Sequence, residues 1–351
     1  MKKILIALVS CGLLIACSDA VDFSQTKDAT NANTLKSADG VGTLDFGPVG
    51  SYVWAKLTVP GMNNYPFNNP NGRNMIIQVG DDVYCLIGDL HEVIYKLNNR
   101  TKRWEYFSDP HDMYMWWVGG FDYLYSYQSK IYYGFQLEGG PEYEHGMGSL
   151  NPLTGERDQI ADFPGTAVDF PTSFIAGSKG YILGGLRNGV AINQFWEYDF
   201  ATNKWTNKGS LPEGARAGAI AFVFNDKVYF GLGYSTVTVN GEVIRRYKKD
   251  WLTIDLAGGI AIEKTEFPGT LRNSSQGFSV NNKFYLNWKG TTDFWEYNPA
   301  NNTWTQKDNL PVTPSDQKNM SVFALGNVGY LVKGSLSQFW RYSNTPIVPV
   351  P

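Results

Sequence analysis

Residues 195–212 read FWEYDFATNKWTNKGSLP, and residues 294–311 read FWEYNPANNTWTQKDNLP, 99 positions further on. Self-similarity at a fixed spacing marks a repeat architecture, in which each unit is one supersecondary element stacked on its neighbours. The phrase is one half of a unit, and weaker copies reveal the rest. Turns at NNRTKRW (98–104), NPLTGER (151–157), DFATNKW (199–205), DLAGGIA (255–261) and NPANNTW (298–304) form one series. In four of them an Asp or Asn precedes a Pro by thirteen residues: Asn151 and Pro164, Asp199 and Pro212, Asp255 and Pro268, Asn298 and Pro311.

A second series consists of an alternating apolar strand, a tight polar turn, and a strand rich in Tyr, Val and Gly. Its turns lie at Gly80-Asp81-Asp82, Gln128-Ser129-Lys130, Gly177-Ser178-Lys179-Gly180, Asn225-Asp226, Asn281-Asn282 and Gly326-Asn327. Six hairpins of this kind stand against five of the other. The last unit ends at FWRYSN (339–344) without its final strand, while Ser51-Tyr52-Val53-Trp54-Ala55-Lys56-Leu57 supplies a spare one ahead of the first unit. Trp54 and Pro60 reproduce the spacing of Trp104 and Pro110. Pairing the first strand into the last unit closes a ring and removes open sheet edges. The expectation is an all-β, six-bladed β-propeller over residues 51–344, closed by its N-terminal strand, with 345–351 as a tail.

The pair Gly184-Gly185, the FWEYD that follows and the Trp of DFATNKW resemble kelch repeats, which implies a kelch-type propeller. The run from FWEYDFATNKW to VYFGLG (195–233) resembles propeller lipoproteins of Bacteroidetes-type bacteria, a group described as galactose-oxidase-like by fold. Sialic-acid mutarotases are also six-bladed kelch propellers, and that likeness is one of fold alone.

The N-terminus reads as an address. Lys2 and Lys3 precede an apolar run, Ile4 to Ile15, that is shorter than the ~20 residues a membrane-spanning helix needs. Its end, Leu14-Ile15-Ala16-Cys17, resembles a lipobox, implying cleavage before Cys17 and lipidation of that residue. Ser18, where an Asp would favour inner-membrane retention, points to the outer membrane. Residues 18–50 are rich in Asp, Ser, Thr, Asn, Ala and Gly and read as a flexible tether. The chain is expected to be a monomer at the cell envelope, touching the membrane only through Cys17.

Composition narrows the chemistry. The formal charge of −3 becomes −5 without Lys2 and Lys3, which argues against a nucleic-acid partner. Of three Cys, only Cys85 remains unmodified in the mature chain, and its apolar strand marks it as a buried thiol. His91, His111 and His145 are the only histidines; they lack metal-ligand spacing, and no cofactor is expected. No nucleophile elbow or phosphate loop is present.

Two kinds of segment remain for function. Crossovers between blades carry Arg73, Asp112, Asp169, Arg216, Arg272 and Asp316, a set that reads as a ring at the channel mouth suited to a carboxylate or polyol. The alternative reading of these arginines is a brace between blades, bonded to backbone carbonyls. Long loops at the same end, 136–148 and 234–250, form a lip. The first carries Glu138, Glu142, Tyr143, Glu144 and His145; the second carries Arg245, Arg246 and Tyr247 around an Asn240-Gly241 hairpin turn. Trp116 and Trp117 offer sugar-stacking platforms or inter-blade packing. Glu138, Glu144 and His145 are the candidates for acid–base work, should the chain be an enzyme. The leading expectation is a non-catalytic module binding a glycan or a protein on this face. The alternatives are a sugar mutarotase or epimerase, and a structural adaptor in a surface complex.

Overall fold

The computed structural model describes residues 34–36, 43–45, 52–57, 73–88, 93–98, 103–108, 118–137, 144–165, 169–211, 214–255, 262–270, 275–288, 291–312, 320–333 and 338–343. The chain divides into two compact units, Met1–Asp45 and Phe46–Pro351. In the first, Thr34–Lys36 pairs antiparallel with Thr43–Asp45.

The second unit is a six-bladed β-propeller. Blade 1 is built from Arg73–Val79, Asp82–Gly88, Val93–Leu97 and Trp104–Ser108, and blade 2 from Val118–Tyr127, Lys130–Leu137, Glu144–Leu150 and Arg157–Gln159. Blade 3 comprises Thr172–Ala176, Lys179–Leu183, Phe195–Asp199 and Lys204–Gly209. Blade 4 comprises Ile220–Phe224, Lys227–Gly231, Asp250–Asp255 and Ile262–Glu266. Blade 5 follows with Ser275–Val280, Lys283–Trp288, Phe294–Asn298 and Thr303–Lys307. Blade 6 takes Ser321–Leu325, Val328–Lys333 and Gln338–Ser343 from the C-terminal region and Val53–Leu57 from the start of the propeller. The closing register runs from Val53 opposite Ser343 to Leu57 opposite Phe339. First strands of successive blades touch in sequence, and blade 6 touches blade 1, so the first strands ring the centre.

The local chemistry explains the strand pairs. Between first and second strands, Asn225-Asp226 and Asn281-Asn282 both hold positive φ, between 49° and 59°. Two left-handed residues make the tight turn whose twist matches a hairpin, and Asn and Asp tolerate it better than most residues. Apolar faces then pack blade on blade. Phe174, Tyr181 and Leu183 of blade 3 meet Val228, Phe230 and Leu252 of blade 4. At the closure, Val83, Cys85 and Trp104 of blade 1 meet Phe323, Val332 and Phe339 of blade 6. Each such side chain contributes about 1.5–3 kcal/mol on burial. Full burial also pushes the Cys85 thiol well above its ordinary range, leaving it un-ionised.

The repeated phrase works as scaffold. Asp199 Oδ1 accepts from the backbone of Ala201 and Thr202, and Asn298 Oδ1 accepts from Ala300, so each turns the outer hairpin. Glu197 accepts from Tyr181 at 3.0 Å, and Glu296 from Tyr285 at 2.9 Å, both across the strand pair. Trp205 donates to the Ala161 carbonyl of the preceding blade's exit segment at 3.0 Å, stapling blades 2 and 3.

Candidate functional site

Second-to-third-strand loops and blade-to-blade crossovers meet at one end of the propeller, opposite the tight turns. The described part of this end centres on blades 3 and 4. There the chain leaving blade 3 threads between the two blades at Ala215-Arg216-Ala217. The Arg216 carbonyl accepts from Gly185, and its amide donates to Ile192, both in the blade 3 loop. A Cβ on Gly184 would lie 2.1 Å from that carbonyl oxygen, so the glycine makes room for the crossover and also supplies a φ of +62°.

The Arg216 side chain turns the other way, into blade 4. Its Nη1 donates to the Leu232 carbonyl at 2.9 Å and to Asp250 Oδ1 at 2.9 Å, while Nη2 pairs with Asp250 Oδ2. The guanidinium lies 5.2 Å from the Phe230 ring centre, and the residue is 1% exposed. Only Nε lacks a partner among the described residues, and it is closed to solvent. Arg216 therefore braces blades, bonding a backbone carbonyl as the alternative expectation has it, and offers no free edge to a carboxylate ligand.

Nor do the other described members of the expected ring stand level with it. Arg216 precedes the first strand of its blade by four residues, Asp169 precedes its strand by three, and Arg73 is the first residue of its strand, opposite Gly88. Asp169 pairs through its backbone with Leu186, at the foot of the blade 3 loop. Asp112, Arg272 and Asp316 lie outside the described residues, as do Trp116, Trp117, Glu138, Glu142, Tyr143 and Cys17.

The expected loop at 136–148 is shorter than its sequence suggests. Strand pairing continues to Leu137 opposite Glu144 and Gln136 opposite His145, which puts Glu144 and His145 in a strand. The loop at 234–250 takes the expected form: Tyr234–Val239 pairs with Glu242–Tyr247 across Asn240-Gly241, with φ of 53° and 85°. This hairpin is the most exposed regular element of the described surface. All six residues of Glu242–Tyr247 are exposed, including Val243 at 46% and Ile244 at 44%. Its other strand leans on blade 3, where Thr236 Oγ1 accepts from the Ala191 amide at 2.8 Å.

At the hairpin's base, Tyr234 is buried, Arg245 lies 4.7 Å over its ring centre, and Tyr247 meets it edge-on at 5.9 Å. Burial raises the Tyr234 phenol above its ordinary value; Arg245 pulls it down, and Tyr247 and Asp169 push it up. Arg245, Tyr247, Tyr234 and Asp169 thus share one electrostatic neighbourhood. Neither Arg245 nor Arg246 has an ion-pair partner among the described residues. Arg245 is exposed, is held over the Tyr234 ring and has no hydrogen-bond or ion-pair partner among the described residues, so its guanidinium is available to fork onto a carboxylate or hydroxyl pair.

Sequence reasoning missed Asp250, the partner of Arg216, and Tyr234, the platform of Arg245. A signal for the first was present. A polar residue precedes the aromatic that opens the third strand as Gln194, Asp250, Asp293 and Gln338. It is Asp in the two blades whose crossovers end in Arg216 and Arg272 and Gln in the other two. In blade 3, Gln194 itself donates to the Gly184 carbonyl. Among the described residues no cluster of His, Cys, Asp and Glu could hold a metal, and no helix is long and apolar enough to cross a membrane.

Comparison with known proteins agrees with this architecture. The kelch motif family model matches residues 181–212, which hold the double glycine and the first copy of the repeated phrase. N-acetylneuraminate epimerase of Pasteurella multocida is 35% identical over 141 residues, covering 37% of this chain and 34% of that protein. Kelch-like protein terF of Aspergillus terreus is 30% identical over 122 residues, covering 30% of this chain and 26% of that protein. The chain therefore spans about a third or less of the length of the curated relatives it matches. Among solved structures, one titled "Structure of YjhT" aligns with 60% of this chain and 70% of its own at 16% identity and a TM-score of 0.47. The fold is a six-bladed β-propeller with a kelch motif at residues 181–212.

Proposed function

We propose that this propeller is a non-catalytic binding module, lipid-anchored through Cys17 at the bacterial envelope, that takes a glycan or protein partner on its loop end. The observation that carries this reading is the 234–247 hairpin, which holds out Arg245, Arg246, Tyr247, Val243 and Ile244 beyond the packed blades. Arginines without ion-pair partners beside exposed aromatic and aliphatic side chains are the composition of a recognition surface rather than of a solvated one. The test is a glycan array, with a parallel capture of envelope proteins, using the form that lacks residues 1–17. Binding to a defined ligand that falls at least tenfold in the Arg245→Ala/Tyr247→Ala variant supports the reading. A ligand held equally well by that variant overturns the assignment of this face. For the anchor, Cys17→Ser is expected to move the protein from the membrane fraction to the soluble fraction.

A second reading, an epimerase or mutarotase of sialic acid, is favoured by the similarity to the Pasteurella multocida epimerase across 141 residues. Glu138, Glu144 and His145 are its candidate acid–base groups. Proton NMR of freshly dissolved N-acetylneuraminate with the purified protein tests it: anomer exchange no faster than in buffer removes this activity.

A further inference from the structure

The outer edge of the 234–247 hairpin has backbone groups whose direction the hydrogen bonding fixes. Asn240-Gly241 is a two-residue turn with both φ values positive, so Val239 and Glu242 form the first hydrogen-bonded pair, and the pairs alternate from there. The non-bonded pairs are then Thr238 with Val243, Thr236 with Arg245 and Tyr234 with Tyr247. Bonds at the base agree with this pattern, since the Tyr234 amide and carbonyl both bond outward to Ala217 at 2.9 Å. Tyr247, its partner, therefore aims its own N–H and C=O away from Tyr234–Val239. By alternation so do Arg245 and Val243. Among the described residues these three amides and three carbonyls have no backbone partner, and Glu242–Tyr247 pairs on one side only.

Natural edge strands are blunted by charged side chains, proline, bulges or a covering loop. This one has an unbroken six-pair register, no proline and full exposure. Its guarding charges, Glu242 against Arg245 and Arg246, leave it net positive, so that they repel a basic strand and admit an acidic one. Charge says what it suits. Residues 245–249 read RRYKK in a chain of net charge −3, and Arg245 and Arg246 project from opposite faces of the hairpin. Consecutive side chains of an added strand also alternate between faces, so carboxylates on it can reach both arginines. Open backbone groups recur every second residue, about 6.8 Å apart, the repeat of an extended polypeptide. A glycan chain has no matching row of amides.

We infer that Glu242–Tyr247 is a docking edge for an extended acidic segment of a partner protein, which adds as a strand beside Val243, Arg245 and Tyr247. Strand addition of this kind draws affinity from main-chain bonds and selectivity from alternate side chains. The inference rests on the binding-module reading and narrows its partner to a peptide.

The test uses residues 18–351 and fluorescence anisotropy with a labelled eight-residue peptide in which pairs of Thr alternate with pairs of Glu, so that carboxylates lie on both faces of the strand. Two controls accompany it: the same peptide N-methylated at every amide, and one with Lys in place of Glu. Expected results are saturable binding of the acidic peptide, a loss of at least tenfold on N-methylation, and no binding of the Lys peptide. Val243→Pro, which deletes an outward N–H that the hairpin does not use, is expected to weaken binding about three- to tenfold with thermal unfolding unchanged within a few degrees. Arg245→Ala/Arg246→Ala is expected to weaken it at least tenfold, and this pair carries the test should the proline variant misfold. Equal binding of the N-methylated peptide overturns strand addition, as does absence of binding by the acidic peptide. Polygalacturonate binding that is indifferent to Val243→Pro, with no peptide binding, also overturns it while leaving the binding-module reading standing. A blank glycan array together with blank envelope capture is what defeats that broader reading.

Discussion

Arg216 and Arg245 lie at the same end of blade 4, one on the crossover into the blade and one on the hairpin that rises from it. The first is 1% exposed and has its fork filled by Asp250 and the Leu232 carbonyl. The second is exposed and lies over the Tyr234 ring. The crossover is shared scaffold, where the ring of blades needs a cation to satisfy a carbonyl and a carboxylate at a seam. The hairpin is an addition to the blade, and Arg245 has no ion-pair partner among the described residues of the ring. Residue type and location at the loop end thus do not by themselves mark a binding arginine; commitment to a partner separates the two.

That contrast breaks if removal of Arg216 is harmless. Arg216→Ala strands Asp250, whose side chain is 24% exposed, and a backbone carbonyl at a packed seam. Taking one partner from a buried pair costs about 3–5 kcal/mol, and the partial exposure of Asp250 argues for the lower end, about 3 kcal/mol. Urea denaturation would show this as a lowered midpoint with an unchanged slope. A loss below about 1 kcal/mol would mean that the brace is ornamental and the seam is held by apolar packing alone.

A scaffold position that has kept polar groups without using them sharpens the contrast. Asn287 is 1% exposed, and neither polar atom of its amide has a partner among the described residues; Gln276 directly opposite also has an unpartnered amide nitrogen. In blade 3 the corresponding place, opposite the aromatic that opens the third strand, is held by Leu183. Asn287→Leu removes the unmet donor and acceptor with an apolar side chain of the same branching and is expected to raise stability by about 1–2 kcal/mol, read as a higher urea midpoint. A fall instead would show that the amide has a partner in solution and belongs with Arg245 rather than with the scaffold.

The sequence made the ring legible because blade geometry is written locally. The doubled phrase, the Asn-Asn and Asn-Asp turns and the spare strand at Val53–Leu57 each lie within a few residues of the structure they specify. The site was legible in part. Asn240-Gly241 announces its hairpin, whereas the seat of Arg245 on Tyr234 joins residues on opposite strands and depends on the register between them. Of the expected Arg and Asp ring, the described members Arg73, Asp169 and Arg216 enter their strands at different points, because counting from each Pro ignores differences in crossover length. Asp250 was overlooked because its role is set by a residue thirty-four positions earlier. Only comparison among blades, Asp with Arg and Gln without, exposes that pairing.

The two copies of the repeated phrase allow a finer test of the scaffold side. Asp199 sits where the second copy has Asn298, and both accept from the turn backbone. The Lys179 ammonium beside Asp199, with the Thr202 and Ala201 amides, lowers its pKa to about 2. A carboxyl depressed in the folded state contributes stability that is complete above the ordinary carboxylate pKa of about 4 and drains away as pH falls toward about 2. Asp199→Asn keeps the turn bonds and loses the ion pair. The variant is expected to be less stable at neutral pH, with the gap closing between about pH 4 and about pH 2 in thermal scans. Parallel curves over that range would mean the Lys179 pair adds nothing to the turn.

The smallest expected effect is the one that defines the hairpin side. Arg245→Ala removes a cation from an exposed strand and uncovers the Tyr234 ring, and surface changes of this kind move stability by no more than about 0.5 kcal/mol. Set beside about 3 kcal/mol for Arg216→Ala, that difference is the free-energy form of the structural contrast. Hydrogen exchange gives a second readout: protection of the blade 4 amides should be unchanged in Arg245→Ala and reduced in Arg216→Ala. If Arg245→Ala instead destabilises the blade by about 1 kcal/mol or more, its stacking on Tyr234 is part of the fold. The two arginines would then differ in exposure but not in purpose, and the case for a binding surface on this hairpin would rest on Arg246, Tyr247 and the open backbone edge alone.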